Sequence, residues 1–111
     1  MTARERQRLP DRRPAETFEL KVAGLKYTAT VGRFSDGRIG ELFLCNHKSN
    51  SAADTNARDA AIAFSFAVQH GADPEAIRKA LSRDSQGRAI GPLGAALDLV
   101  GMSANPKGDV T

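Results

Sequence analysis

Residues 27–71 read YTATVGRFSDGRIGELFLCNHKSNSAADTNARDAAIAFSFAVQHG, and this stretch decides the fold. Its first half alternates with a period of two. Leu25, Tyr27, Ala29 and Val31 fall on one face, and Lys26, Thr28 and Thr30 on the other. Thr, Tyr and Val suit a pleated surface, so a strand is predicted over Leu25–Phe34. Ser35-Asp36-Gly37 reads as a hairpin turn, because Gly supplies the positive φ such turns need. A further strand is predicted over Arg38–Cys45, where Leu42 and Leu44 oppose Ile39, Glu41 and Phe43. A polar stretch from Asn46 to Thr55 follows. The pattern then changes to an apolar helix over Ala57–Gln69, with Asn56 as N-cap and Gly71 as the stop. So apolar a helix is expected to be buried nearly all round or to cover a partner. Phe66 is placed in the core on this reading.

Upstream, Phe18, Leu20 and Val22 alternate with Glu19 and Lys21, which predicts a first strand over Phe18–Val22. Ala23-Gly24 is its two-residue turn. Downstream, Asp73 and Pro74 start a second helix, with Asp as cap and Pro in the first position. Residues 82–91, SRDSQGRAIG, read as a loop, and Pro92 opens a last helix to about Val100. The fold class is therefore α+β: a three-stranded antiparallel meander covered by two to three helices. Residues 1–16 form a basic extended arm, 17–101 the α+β domain and 102–111 a flexible tail. Three strands leave two open edges, and the apolar helix exceeds what one small sheet covers, so a homodimer is expected.

The 111 residues suffice for one domain with one modest core. With 41% hydrophobic and 26% charged residues, the composition is that of an ordinary globular protein. No apolar run approaches the length of a membrane span, and no apolar h-region follows the N-terminal arginines. A single cysteine excludes an internal disulfide and fits a cytoplasmic location. The net charge is +3, and most of it lies in the arm, where five arginines face three acids. Arg4, Arg6, Arg8, Arg12 and Arg13, with Arg78 and Lys79 on the second helix, are the candidate contacts for nucleic acid or an acidic partner. The interleaved acids equally allow a solvated leader. The loop His47-Lys48-Ser49-Asn50-Ser51, running into a helix N-terminus, is the candidate for a small anion or nucleotide phosphate. Cys45, His47 and His70 lack the paired spacing of a zinc site, so neither a metal nor a cofactor is expected. No nucleophile is joined to a His and an acid, so no catalytic residue is assigned.

Three segments in order carry a family resemblance: Arg8-Leu9-Pro10-Asp11 with Arg13-Pro14, Val31-Gly32 through Gly40-Glu41-Leu42-Phe43, and Ser65 through Gln69-His70-Gly71. Together they resemble the TSCPD domain, the C-terminal module of adenosylcobalamin-dependent ribonucleotide reductases. The resemblance spans roughly residues 8–101, but the chain lacks the Thr-Ser-Cys-Pro-Asp string that names the family. It implies a stand-alone module of ribonucleoside-diphosphate reductase and nucleotide metabolism. A reductase needs a radical cysteine and a reducible cysteine pair, and one cysteine cannot form that pair. The expected function is an accessory or regulatory protein without catalysis of its own, with a ribonucleotide reductase-type protein as partner. Two alternatives stay open: a small nucleic-acid-binding protein using the arginines, and a subunit completing a split reductase.

Overall fold

The computed structural model describes residues 5–13 and 15–103. Three strands, β1 (Ala15–Val22), β2 (Leu25–Arg33) and β3 (Ile39–Asn46), form an antiparallel sheet in that order. Three helices follow: α1 (Ala52–Gln69), α2 (Pro74–Ala80) and α3 (Pro92–Ser103). This is the expected α+β meander with helices. Both turns form where the sequence places them. Ala23 and Gly24 take φ of 53° and 77° and join β1 to β2 with Val22 opposite Leu25. Gly37 takes φ of 93°, and Asp36 accepts a hydrogen bond from the Arg38 amide. The ladder slips at Gly32/Arg33, where Gly32 faces Glu41 and Arg33 faces Ile39.

Strand alternation sends Leu20, Tyr27, Ala29, Val31, Leu42 and Leu44 to the face that the helices cover. Ala57, Ala61, Phe64 and Val68 of α1 and Ala96, Leu97 and Val100 of α3 meet them. The helix α1 is not buried all round. Phe64 is 3% exposed, whereas Ile62 and Phe66 are each 50% exposed. Phe66 is therefore not a core residue. At 100° per residue, positions 64 and 66 cannot share a face of one helix.

The helix starts five residues earlier than expected. Ser51, not Asn56, is the N-cap, and its side chain accepts from the Asp54 amide. Asp54 in turn accepts from the Asn46 amide at 2.9 Å, which ties the helix start to the end of β3. At the other end the Gly71 and Ala72 amides donate to the Val68 and Ala67 carbonyls, with Gly71 at φ of 102°. That is a Schellman stop, the role expected of Gly71.

Residues 82–91 are not an irregular loop. They form a small hairpin in which Arg83 bridges Ala89 and the Asp84 amide donates to the Arg88 carbonyl. Arg83 reaches Asp98 of α3 through both terminal nitrogens, at 2.8 and 2.9 Å, and Arg78 reaches the same carboxylate. The α3 helix runs on to Ser103, beyond the expected start of the tail, and residues 104–111 lie outside the described residues.

The two sheet edges differ. Helix α1 lies along β3 and closes its edge with side chains. Ser65 Oγ accepts from the Leu42 amide at 2.8 Å and donates to the Leu42 carbonyl at 3.1 Å. Gln69 donates to the Gly40 carbonyl at 2.8 Å, and Asp54 takes the Asn46 amide. Positions 54, 65 and 69 are eleven and four apart, which puts them on one helix face. Among the described residues, no comparable side-chain bonds close the outer edge of β1. The expectation of two open edges therefore holds for one edge only.

Candidate functional site

The arm is not a solvated leader over residues 5–13. It crosses the end of the sheet and docks on β3 and the last turn of α1. The Gln7 amide donates to the Gln69 carbonyl at 2.6 Å. Arg6 Nε donates to Gln69 Oε1, and its guanidinium lies 5.0 Å from the Phe66 ring centre. Leu9 packs over Gly40, where a Cβ would come within 2.8 Å of Leu9 Cδ2. Arg13 donates to Glu41 Oε2 at 2.8 Å and to the Pro10 carbonyl at 2.6 Å. Glu41 thus pairs with Arg13 and not with the nearer Arg33 or Arg38, which hold Glu16 and Asp36.

Each contact has a local cause. Successive residues of β3 point to opposite faces, so Gly40 receives Leu9 on one face while Glu41 reaches Arg13 on the other. Gly32 is buried opposite Glu41, and a Cβ there would lie 2.7 Å from Glu41 Cγ. The missing side chain is the space in which Glu41 lies. Gln69 is 3% exposed and uses both ends of its amide, accepting from Arg6 and donating to Gly40. A buried amide so satisfied fixes its neighbours, because leaving either end unpaired costs about 1–3 kcal/mol.

These contacts frame a two-lobed groove. The polar lobe, about 330 Å³, is lined by Arg6, Arg8, Leu9, Arg13, Glu41 and Gln69. The adjoining lobe, about 160 Å³, has Phe43, Ile62 and Phe66 at its rim. Arg6, Glu41 and Gln69 belong to both. Phe43 is 55% exposed, on the sheet face that no helix covers.

The structure thus brings Arg6, Arg8 and Arg13 together and separates them from the other candidates. Arg12 is exposed, and Arg4 lies outside the described residues. Arg78 is held by Glu75 and Asp98, and Lys79 is exposed on the same short helix. The loop 47–51 is engaged in its own bonds. The Lys48 amide donates to Asn46 Oδ1, and Ser51 Oγ donates to the Lys48 carbonyl while capping α1. Asn46 Nδ2 beneath it is buried without a partner. The Asn46 amide, and then the Arg58 guanidinium, hold the Asp54 carboxyl below the usual range. Cys45 is half-buried, and His47 Nε2 stands 3.2 Å from Thr28 Oγ1. His70 Nδ1 donates to the Phe66 carbonyl at 2.8 Å, a structural role. Among the described residues no group of three His, Cys, Asp or Glu side chains could hold a metal ion. No helix of the described residues is long and apolar enough to cross a membrane.

Sequence reasoning missed Glu41 and Gln69 as site residues. Both had a signal: a charge between apolar strand residues, and an amide at the end of an apolar helix.

Fold and site together define a small α+β module with a groove lined by arginines and aromatic rings. The relatives it resembles are vitamin B12-dependent ribonucleotide reductases. It is 42% identical over 69 residues to that of Agrobacterium fabrum, covering 62% of this chain and 5% of the relative. It is 40% identical over 68 residues to that of Bradyrhizobium diazoefficiens, covering 61% and 5%. It is 36% identical over 72 residues to that of Rhodopirellula baltica, covering 65% and 7%. The chain therefore spans only a small part of the length of these curated relatives. No family model matches the chain, and no solved structure matches it.

Proposed function

We propose that this chain is a TSCPD-like accessory or regulatory module of ribonucleoside-diphosphate reductase, working in the cytoplasm by binding rather than by catalysis. One observation carries the reading. The three segments that suggest the family meet in space, and they meet at the groove. Arg8, Leu9 and Arg13 come from the first, Gly32, Gly40 and Glu41 from the second, and Gln69 from the third. The similarity to reductases suggests the partner class. Arg6 and Arg13 there are held by second partners, Gln69 and Glu41, which suits recognition.

The test is titration of the purified chain into a vitamin B12-dependent ribonucleotide reductase from the same organism, followed by fluorescence anisotropy. Saturable binding that Glu41→Ala weakens is expected. Absence of binding up to about 100 μM would overturn the reading. Deoxynucleotide formation that requires the added chain would instead favour the split-reductase subunit.

Self-association is a second reading, favoured by the outer edge of β1. Strand β1 lies at the edge of the sheet, and an edge strand can pair with another copy. The nucleic-acid reading has less support, because Arg13, Arg78, Arg83 and Arg88 each hold a carboxylate.

A further inference from the structure

We propose that the two-lobed groove binds a nucleoside phosphate. This rests on reading the groove as a binding site, and it adds the ligand class.

The argument starts from charge. The polar lobe gathers the guanidiniums of Arg6, Arg8 and Arg13 against one carboxylate, Glu41, which leaves an excess of positive charge in one concavity. Two of the three are held in place before any ligand arrives. Arg13 is fixed by Glu41 and the Pro10 carbonyl, and Arg6 by Gln69 and the Phe66 ring. Arg8 is exposed and has no hydrogen-bond or ion-pair partner among the described residues. Planar guanidinium forks match phosphate oxygens, and pre-positioned donors lose less freedom on binding.

The second lobe supplies what a bare anion site lacks. Phe43, Ile62 and Phe66 are all at least half exposed and stand around one small apolar space. At about 160 Å³ that space suits one ring-sized group rather than the several side chains of a docked peptide. Base stacking on aromatic side chains is favourable whatever the base, since every base has a π-face.

Glu41 stands where the lobes join. Arg13 takes its Oε2, and Oε1 takes part in none of the described hydrogen bonds. A carboxylate between an aromatic pocket and a phosphate site is placed to accept from sugar hydroxyls, as acids do at ribose. Donors, acceptor and rings thus follow the order phosphate, sugar, base. A nucleic-acid polymer fits less well, because tracking a backbone needs a row of unpaired cations. Of the three guanidiniums here, Arg13 is paired with Glu41 and Arg6 is engaged by Gln69 and Phe66, which leaves only Arg8 without a partner among the described residues.

The experiment is isothermal titration of the full chain with ADP, with adenosine, with tripolyphosphate and with a short single-stranded oligonucleotide. Saturable ADP binding with Kd below about 1 mM is expected, with adenosine weaker. Arg8→Ala should weaken ADP and tripolyphosphate alike by about tenfold. Phe43→Ser should weaken ADP and leave tripolyphosphate unchanged, while Phe66→Ala, which also frees Arg6, should weaken both. Arg88→Ala, on the distant hairpin, should change neither. Thermal melts check that each variant is folded. Three results would overturn the proposal: no saturable ADP binding, tripolyphosphate binding as tightly as ADP with no effect of the Phe variants, or the oligonucleotide far outcompeting ADP. A chain that binds reductase but not ADP loses this inference alone. One that binds ADP but no reductase loses the accessory reading alone.

Discussion

Alanine at position 32 tests the geometry that holds the arm. Its methyl would sit 2.7 Å from Glu41 Cγ and 2.9 Å from Cδ, closer than such atoms approach, so Glu41 must leave. Leaving breaks its 2.8 Å bond to Arg13, a pair with side chains 13% and 29% exposed. A charge-assisted bond contributes about 1.5–3 kcal/mol, and partial solvent screening reduces this toward about 1–2 kcal/mol. Against that loss, replacing Gly with Ala inside a strand recovers about 0.5–1 kcal/mol of backbone entropy. Gly32→Ala alone should therefore destabilise by about 1 kcal/mol, and Glu41→Ala alone by about 1–2 kcal/mol.

The double variant separates this account from a generic loss of packing. With Glu41 already shortened to Ala, the three atoms nearest the new methyl are gone. Gly32→Ala with Glu41→Ala should then be no less stable than Glu41→Ala, and by the strand term about 0.5 kcal/mol more stable. The cycle should show favourable coupling of about 1–2 kcal/mol. Urea unfolding followed by circular dichroism gives each midpoint, and an unchanged slope shows that compactness is retained. Strictly additive losses would refute the reasoning. They would mean that Glu41 does not lie over Gly32 in solution.

Phe64→Ala should cost about 3–5 kcal/mol as a core truncation, while Phe66→Ala should cost about 1 kcal/mol; equal losses in urea would contradict the helix orientation. Arg83, and then Arg78, hold the Asp98 carboxyl below its usual range, so its contribution is present above the unfolded value of about 3.9 and is lost as pH falls through the lower folded value. Asp98→Asn should therefore flatten the fall of the urea midpoint below about pH 4, and an unaltered acid limb would show that the Arg78–Arg83–Asp98 cluster adds nothing. Light scattering should give a dimer mass, and a strictly monomeric mass across the micromolar range would show that the β1 edge stays unpaired.

The fold was largely legible because its cues are local. Alternation set the strands, and Ala23-Gly24 and Asp36-Gly37 set the turns with the φ they require. Periodicity does not mark the start of α1, because residues 52–56 are mostly small and polar and show no apolar period. Yet Ser51 followed by Asp54 is a capping signature in plain view. The apolar content of α1 marks Phe66 as core, whereas the helical wheel sets it opposite the buried Phe64. The hairpin at residues 82–91 was hidden for another reason. Its organiser is Asp98, 15 residues beyond Arg83, and no local pattern encodes that pairing. The site follows the same rule. The arm's arginines were visible as charge, but Arg6 finds Gln69 across 63 residues and Arg13 finds Glu41 across 28. Composition reveals that cations exist; only the fold decides which acids neutralise them and which amides hold them.

The arrangement also explains why a short cationic arm carries a leucine and two rigid anchors. Arginines alone would leave the arm in water, since an exposed ion pair contributes little once salt screens it. Leu9 over Gly40 adds apolar burial that salt does not weaken, and the Gln69 amide and carbonyl fix the register of residues 6 and 7. The arginines that line the groove are consequently the same groups that hold the arm. Anything that binds Arg6, Arg8 and Arg13 in this geometry must also favour the docked arm over the free one, by as much as its affinities for the two states differ. Binding at the groove and order in the arm are then a single equilibrium. Gly32 and Gly40 set its balance by leaving room for Glu41 and Leu9.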